Sequence, residues 1–87
     1  MTELVIASPA EAEYAEVLSW YAKRSPQAAE RFEVEFDLAI QAIAADPERF
    51  PRCDDRHRYY LMRRFPFQVI YRRHADSAVV IAVAHTS

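Results

Sequence analysis

Residues Arg63 to Arg73, reading Arg-Arg-Phe-Pro-Phe-Gln-Val-Ile-Tyr-Arg-Arg, constrain the fold of this chain more than any other stretch. Phe67, Val69 and Tyr71 alternate with Gln68, Ile70 and Arg72, the period of two that gives a strand two distinct faces. Pro66 has no N–H to donate to a ladder, so it marks a corner between two antiparallel strands, the first led in by Tyr59-Tyr60-Leu61-Met62. A basic, aromatic-edged hairpin results, and what precedes it reads as the helical cover of a sheet.

Leu4-Val5-Ile6-Ala7 is a short apolar, β-branched run that stops at Ser8-Pro9, which predicts a strand. Ser8, Pro9 and Glu11 then supply the hydroxyl, proline and carboxylate of a capping box, so a helix is expected to start there with Ser8 as its cap. Ala10, Tyr14, Val17, Leu18 and Tyr21 recur along it at helical spacing. Glu11, Glu13 and Glu16 lie toward its positive end and Lys23 and Arg24 toward its negative end. Ser25-Pro26 repeats the start signal at once, so a second helix must fold back on the first. Its apolar stripe is Ala29, Phe32, Phe36, Ala39 or Ile40, and Ile43, and Asp46-Pro47 ends it. Residues 50–56, punctuated by Pro51, read as a surface connection.

After the hairpin, Ala75-Asp76-Ser77 is a tight polar turn. The run from Ala78 to Ala84 is apolar on both faces, the mark of a central or well-covered strand. The expected fold is therefore α+β in the order β-α-α-β-β-β, a helical hairpin packed on one face of a mostly antiparallel four-stranded sheet, as a single domain over residues 1–87. The chain contains no glycine, so Pro, Asp and Ser are expected to make its turns at some local strain.

Composition narrows the function. Hydrophobic residues make up 52% of the chain and aromatics 13%, which excludes a disordered tail. No run approaches the roughly 18 apolar residues of a membrane span, and no basic region followed by a long apolar core opens the chain, which points to a cytoplasmic protein. Cys53 is the single cysteine, and His57, His74 and His85 are scattered without ligand spacing, so neither metal nor cofactor is expected. A domain this small has a core that only just outweighs chain entropy, so a homodimer or a hetero-oligomer with a partner is expected. Charge is divided along the chain. Residues 1–48 hold ten acids against Lys23, Arg24 and Arg31, whereas residues 49–73 hold eight arginines against Asp54 and Asp55. Such a field steers toward an acidic or anionic partner, unless the two halves merely neutralise each other in the fold.

The element order, with Arg64-Phe65-Pro66-Phe67, Val69-Ile70-Tyr71-Arg72 and a last apolar strand ending in His85, resembles the RelE/ParE toxins of bacterial type II toxin-antitoxin modules. The Phe-Pro-aromatic corner is closer to the ParE-like branch, often labelled plasmid stabilisation proteins. The resemblance covers essentially the whole chain. It implies a growth-inhibiting toxin neutralised by a cognate antitoxin whose C-terminal tail is disordered until bound. ParE-like members poison DNA gyrase, and RelE-like members cleave messenger RNA on the ribosome. Such an RNase must activate a 2′-hydroxyl, stabilise extra negative charge on phosphorus and protonate a leaving oxygen. One of its arginines falls at the position of Gln68 here, and a further arginine and an aromatic or histidine acid follow the segment matching Ala84 to Ser87, where this sequence stops. The resemblance therefore favours a gyrase-binding toxin over the alternatives, a ribosome-dependent endoribonuclease or an attenuated homologue that only binds its antitoxin.

On this reading Arg63, Arg64, Arg72, Arg73 and Trp20 are the candidate contacts to target or antitoxin, the arginines through charge-assisted hydrogen bonds and Trp20 as an anchor for an antitoxin helix. The bland alternatives are arginines that guard sheet edges and a tryptophan in the core. Strand alternation sets Arg63 and Arg64 on opposite faces. If the chain is instead a nuclease, His85, Arg64 and Arg72 are its catalytic candidates, although a histidine there is more often packed than catalytic. Tyr59, Tyr60 and Tyr71 fit cross-strand packing better than base stacking. Helices over so small a sheet leave an apolar groove that a partner helix or strand can fill.

Overall fold

The computed structural model describes residues 2–86. Strand β1 (Glu3–Ile6) leads into helices α1 (Ser8–Arg24) and α2 (Pro26–Ala45), and β2 (His57–Leu61), β3 (Phe67–His74) and β4 (Ser77–His85) follow. The sheet order is β1-β4-β3-β2. β4 pairs antiparallel with β3 and parallel with β1, and β2 pairs antiparallel with β3. The expected α+β architecture is thus observed, with one parallel pair making the sheet mixed.

The helical hairpin forms as its capping chemistry dictates, with one difference. Ser25, in extended conformation, accepts a hydrogen bond through its hydroxyl from the Ala28 N–H at 3.2 Å. Ser8 makes no such bond, because α1 begins one residue earlier than the capping-box reading expects: Ala7 occupies the cap and Ser8 is already helical. Ala29, Phe32, Phe36, Ala39 and Ile43 of α2 are buried, as is Ala10 of α1. All but Ala29 form one core cluster with Val69, Tyr71, Ala78, Val80 and Val83 from the inner face of the sheet. An aromatic stack threads the interface: Phe32 meets Phe65 at 5.3 Å and Phe67 at 5.9 Å between ring centroids, and Tyr14 meets Phe36 at 4.4 Å.

Why β4 reads as apolar on both faces becomes clear from its register. Val69 pairs with Val83 and Ile70 with Ala82, but Tyr71 pairs with Val80, so Ile81 is an extra residue in a bulge. The bulge reverses the alternation: Ala78 and Val80 face the core before it and Val83 after it. Beyond β1, the outward Val83 N–H finds no strand partner and instead donates to the Glu13 carboxylate of α1 at 2.9 Å. The turns also differ from expectation. Positive φ falls on Arg64 (68°) and Ala75 (53°), so an arginine and an alanine, rather than Pro, Asp or Ser, adopt the backbone conformation that glycine would favour.

Candidate functional site

The structure separates the sequence-predicted arginines into two groups. Arg63 and Arg64 lie in the loop between β2 and β3, both exposed. They belong to no strand, so the alternation argument that set them on opposite faces does not apply. Phe65 anchors this corner by packing edge-on against Tyr21 at 5.1 Å, and the Thr86 N–H donates to the Pro66 carbonyl at 2.9 Å. Arg72 and Arg73 lie near the far end of β3, where Arg72 pairs with His57 of β2 and Val79 of β4. Arg72 and Phe67 are five residues apart, about 17 Å along an extended strand. His85 pairs with Phe67 at the corner end, its ring edge-on to Phe67 at 5.2 Å. The nuclease candidates Arg64, Arg72 and His85 are therefore not brought together: Arg72 is remote from the other two.

A groove of about 320 Å³ opens between α1 and the corner, lined by Glu16, Val17, Trp20, Tyr21, Pro66, Phe67 and His85. Trp20 is 51% exposed at its edge, so of the two readings of this residue, anchor or core, the structure places it at the surface. Arg24 lies over its ring at 3.7 Å and donates to its carbonyl at 3.0 Å, a cation–π contact that holds the indole in place. The outer face of the sheet carries no helix. In register across it stand Val5, Val79 and Arg72, then Ala82, Ile70 and Tyr59, then Ala84, Gln68 and Leu61. Val5 and Leu61 at its two edges are 45% and 60% exposed. Gln68 sits within this uncovered face, with no cation in its row.

The most strongly charged feature is at the opposite end from the corner. A cleft of about 560 Å³ is lined by Arg52, Arg56, Arg58, Arg72 and Arg73, with Glu48, Asp55, His57 and Tyr71. The connection after α2 builds it by folding back along β2: the Cys53 N–H donates to the His57 carbonyl and the Tyr59 N–H to the Pro51 carbonyl. Asp54 staples this loop. Its carboxylate accepts from the Arg56 and His57 N–H groups at 2.7 and 2.8 Å and pairs with His57 Nδ1 at 2.8 Å. The Arg56 N–H bond first, and the His57 side chain second, hold the Asp54 carboxyl below its ordinary value. Glu48 bridges Arg58 and Arg73, each at 3.2 Å, and Arg58 also donates to the Phe50 carbonyl at 2.7 Å. Beneath the cleft, Tyr71 is fully buried and donates its hydroxyl to the Pro47 carbonyl at 2.7 Å. Burial pushes the Tyr71 phenol up to about 12.

Arg52 and Arg56 were missed as site residues because residues 50–56 read as a plain surface connection, and Arg58, on β2, because it stands apart from the arginine pairs at 63–64 and 72–73. Their signal is the excess of arginine over residues 49–73, which gives the charge of the cleft without its shape. Tyr60 packs edge-on to Phe50 at 5.1 Å, in line with a packing role. Among the described residues no group of three or more His, Cys, Asp or Glu side chains is placed to hold a metal ion, and no helix is long and apolar enough to cross a membrane.

Comparison with known proteins agrees with this fold. Residues 4–87 match the family model described as the ParE toxin of type II toxin-antitoxin system, parDE. A solved structure described as the chromosomal ParDE TA system from P. aeruginosa superposes with a TM-score of 0.86, covering 100% of this chain and 98% of that one at 14% sequence identity. At that identity the likeness concerns the fold. No curated protein matches the chain.

Proposed function

Because this chain belongs to the ParE toxin family of type II toxin-antitoxin systems, we propose that it arrests growth by binding DNA gyrase and is held inactive by a cognate antitoxin. The observation that carries this reading is the family match across residues 4–87, which embraces the helical hairpin, the Phe65-Pro66-Phe67 corner and the final strand together. Two surfaces serve the contacts. Trp20 lines the groove at the corner, whose apolar floor of Val17, Tyr21 and Phe67 suits an amphipathic antitoxin helix, and Arg63 and Arg64 are exposed in the loop that forms the corner. Arg72 and Arg73 form a second, cationic surface at the other end.

The endoribonuclease alternative is disfavoured by position. Arg72 stands far from Arg64 and His85, and Gln68 brings no charge to the face where the reacting phosphate would need it. A gyrase supercoiling and cleavage-complex assay, run beside a ribosome-programmed messenger RNA cleavage assay, separates the readings. Accumulation of gyrase–DNA complexes with intact message is the expected result. Cut message with untouched gyrase would replace the gyrase reading with the nuclease, and inactivity in both would leave a chain that only binds its antitoxin.

A further inference from the structure

We propose that the arginine cleft at the end of the sheet away from the corner is a binding site for the phosphodiester backbone of a nucleic acid. The inference goes beyond the toxin reading and does not depend on it. Five arginines converge on the cleft against the two carboxylates of Glu48 and Asp55, although the whole chain has a net charge of -2. The local charge is thus opposite in sign to that of the molecule.

The arrangement is partly preorganised and partly open. Glu48 fixes Arg58 and Arg73, and the Asp55 carbonyl accepts from Arg52 at 3.1 Å. The guanidinium groups of Arg56 and Arg72 make no hydrogen bond or ion pair with the described residues, and both residues line the cleft, Arg72 from the outer face of the sheet, so two planar donor forks stay unengaged beside arginines that are already held. Asp54, the remaining acid of the loop, spends its carboxylate on the loop's own N–H groups and His57. Every cation here is arginine, whose fork matches two oxygens of one phosphate.

A carboxylate-bearing peptide offers similar oxygens, but peptide recognition draws its affinity from apolar anchors seated in pockets. Apart from Tyr71, which is buried and bonded to Pro47, each residue lining the cleft is charged or a histidine. Phosphate recognition needs only the charges, because contacts to a nucleic-acid backbone position the ligand without reading its bases.

Fluorescence anisotropy with labelled duplex DNA and labelled single-stranded RNA tests this, with labelled polyglutamate as the carboxylate probe. Binding to DNA, RNA or both that weakens steeply with salt is expected, and the better ligand identifies the source of the phosphates. Arg56→Gln combined with Arg72→Gln lowers the affinity about 5–10-fold and flattens the salt dependence by about two phosphate contacts. Lys23→Gln combined with Arg31→Gln makes the same change in net charge on the helices and leaves binding as it was. Backbone amide shifts of the unaltered protein on adding the duplex concentrate at residues 52–58 and 71–73, a readout that needs no variant.

The proposal is overturned if neither nucleic acid binds, if both double variants lose affinity equally, or if polyglutamate binds as tightly as nucleic acid at the same salt. No gyrase is present in the assay, so its failure leaves the toxin reading standing, and a negative supercoiling result leaves the cleft standing.

Discussion

Two residues concentrate the consequences of a small core. Tyr71 is 0% exposed and its hydroxyl satisfies the Pro47 carbonyl just beyond α2. Tyr71→Phe leaves that carbonyl without its partner and is expected to cost about 1–2 kcal/mol, read as a lower midpoint in urea unfolding. The buried phenol holds its proton more tightly in the folded chain than in the unfolded one, so its contribution is complete below pH 10.0 and is lost as pH climbs through about 12. Alkaline ultraviolet titration of tyrosinate should lose its latest-titrating component in the variant. Ala75 pays for a left-handed turn with a Cβ in the way. Ala75→Gly relieves about 1–2 kcal/mol of that strain and gives part of it back as unfolded-chain entropy, for a net gain of about 0.5–1 kcal/mol and a higher Tm in calorimetry. Glycine's absence makes turn strain foreseeable from sequence. Its position is not, because any residue of a turn can take the positive φ until the neighbouring strands fix the register.

At the scale of elements, the two helix starts look equivalent in sequence and differ in structure. Ser25 caps α2 through the Ala28 N–H, whereas Ser8 makes no cap bond. Ser25→Ala is therefore expected to cost about 1 kcal/mol and Ser8→Ala close to nothing, with thermal unfolding followed by circular dichroism as the check. The hairpin itself is legible because Ser25-Pro26 leaves no room for a loop, and because Phe32, Phe36 and Ile43 recur at the period of a helix. The bulge at Ile81 is not legible. Bulges show in a sequence as a break in alternation, and the run from Ala78 to Ala84 has no alternation to break. The Glu13 contact to Val83 is hidden for a different reason, since it joins residues whose proximity depends on α1 lying over β4 beyond the last β1 pair, Ile6 with Val80.

For the molecule as a whole, the charge division seen in sequence survives folding as a basic pole rather than as general neutralisation. Glu48 neutralises part of that pole, yet five arginines still gather around one cleft. Which arginines gather was beyond the sequence: Arg63 and Arg64 belong to the same run as Arg72 and Arg73, but β3 carries the pairs to opposite ends. Arg58 joins from β2 itself, and Arg52 and Arg56 only because a loop folds back on that strand. The contacts that bind the fold together are distant in the chain, with β1 registered on β4 from Glu3 opposite Ser77 to Ile6 opposite Val80. A chain stopped before Ser77 lacks the strand between β1 and β3 and is expected to show no cooperative unfolding in denaturant.

That placement of β4 has a bearing on synthesis. One of the two inner strands is thus the last of the four to leave the ribosome, so β1 waits through the making of both helices and the β2–β3 hairpin before its neighbour exists. A message broken anywhere upstream of Ser77 yields a polypeptide with no folded sheet to present to any target, and synthesis of this protein is in that sense all or nothing.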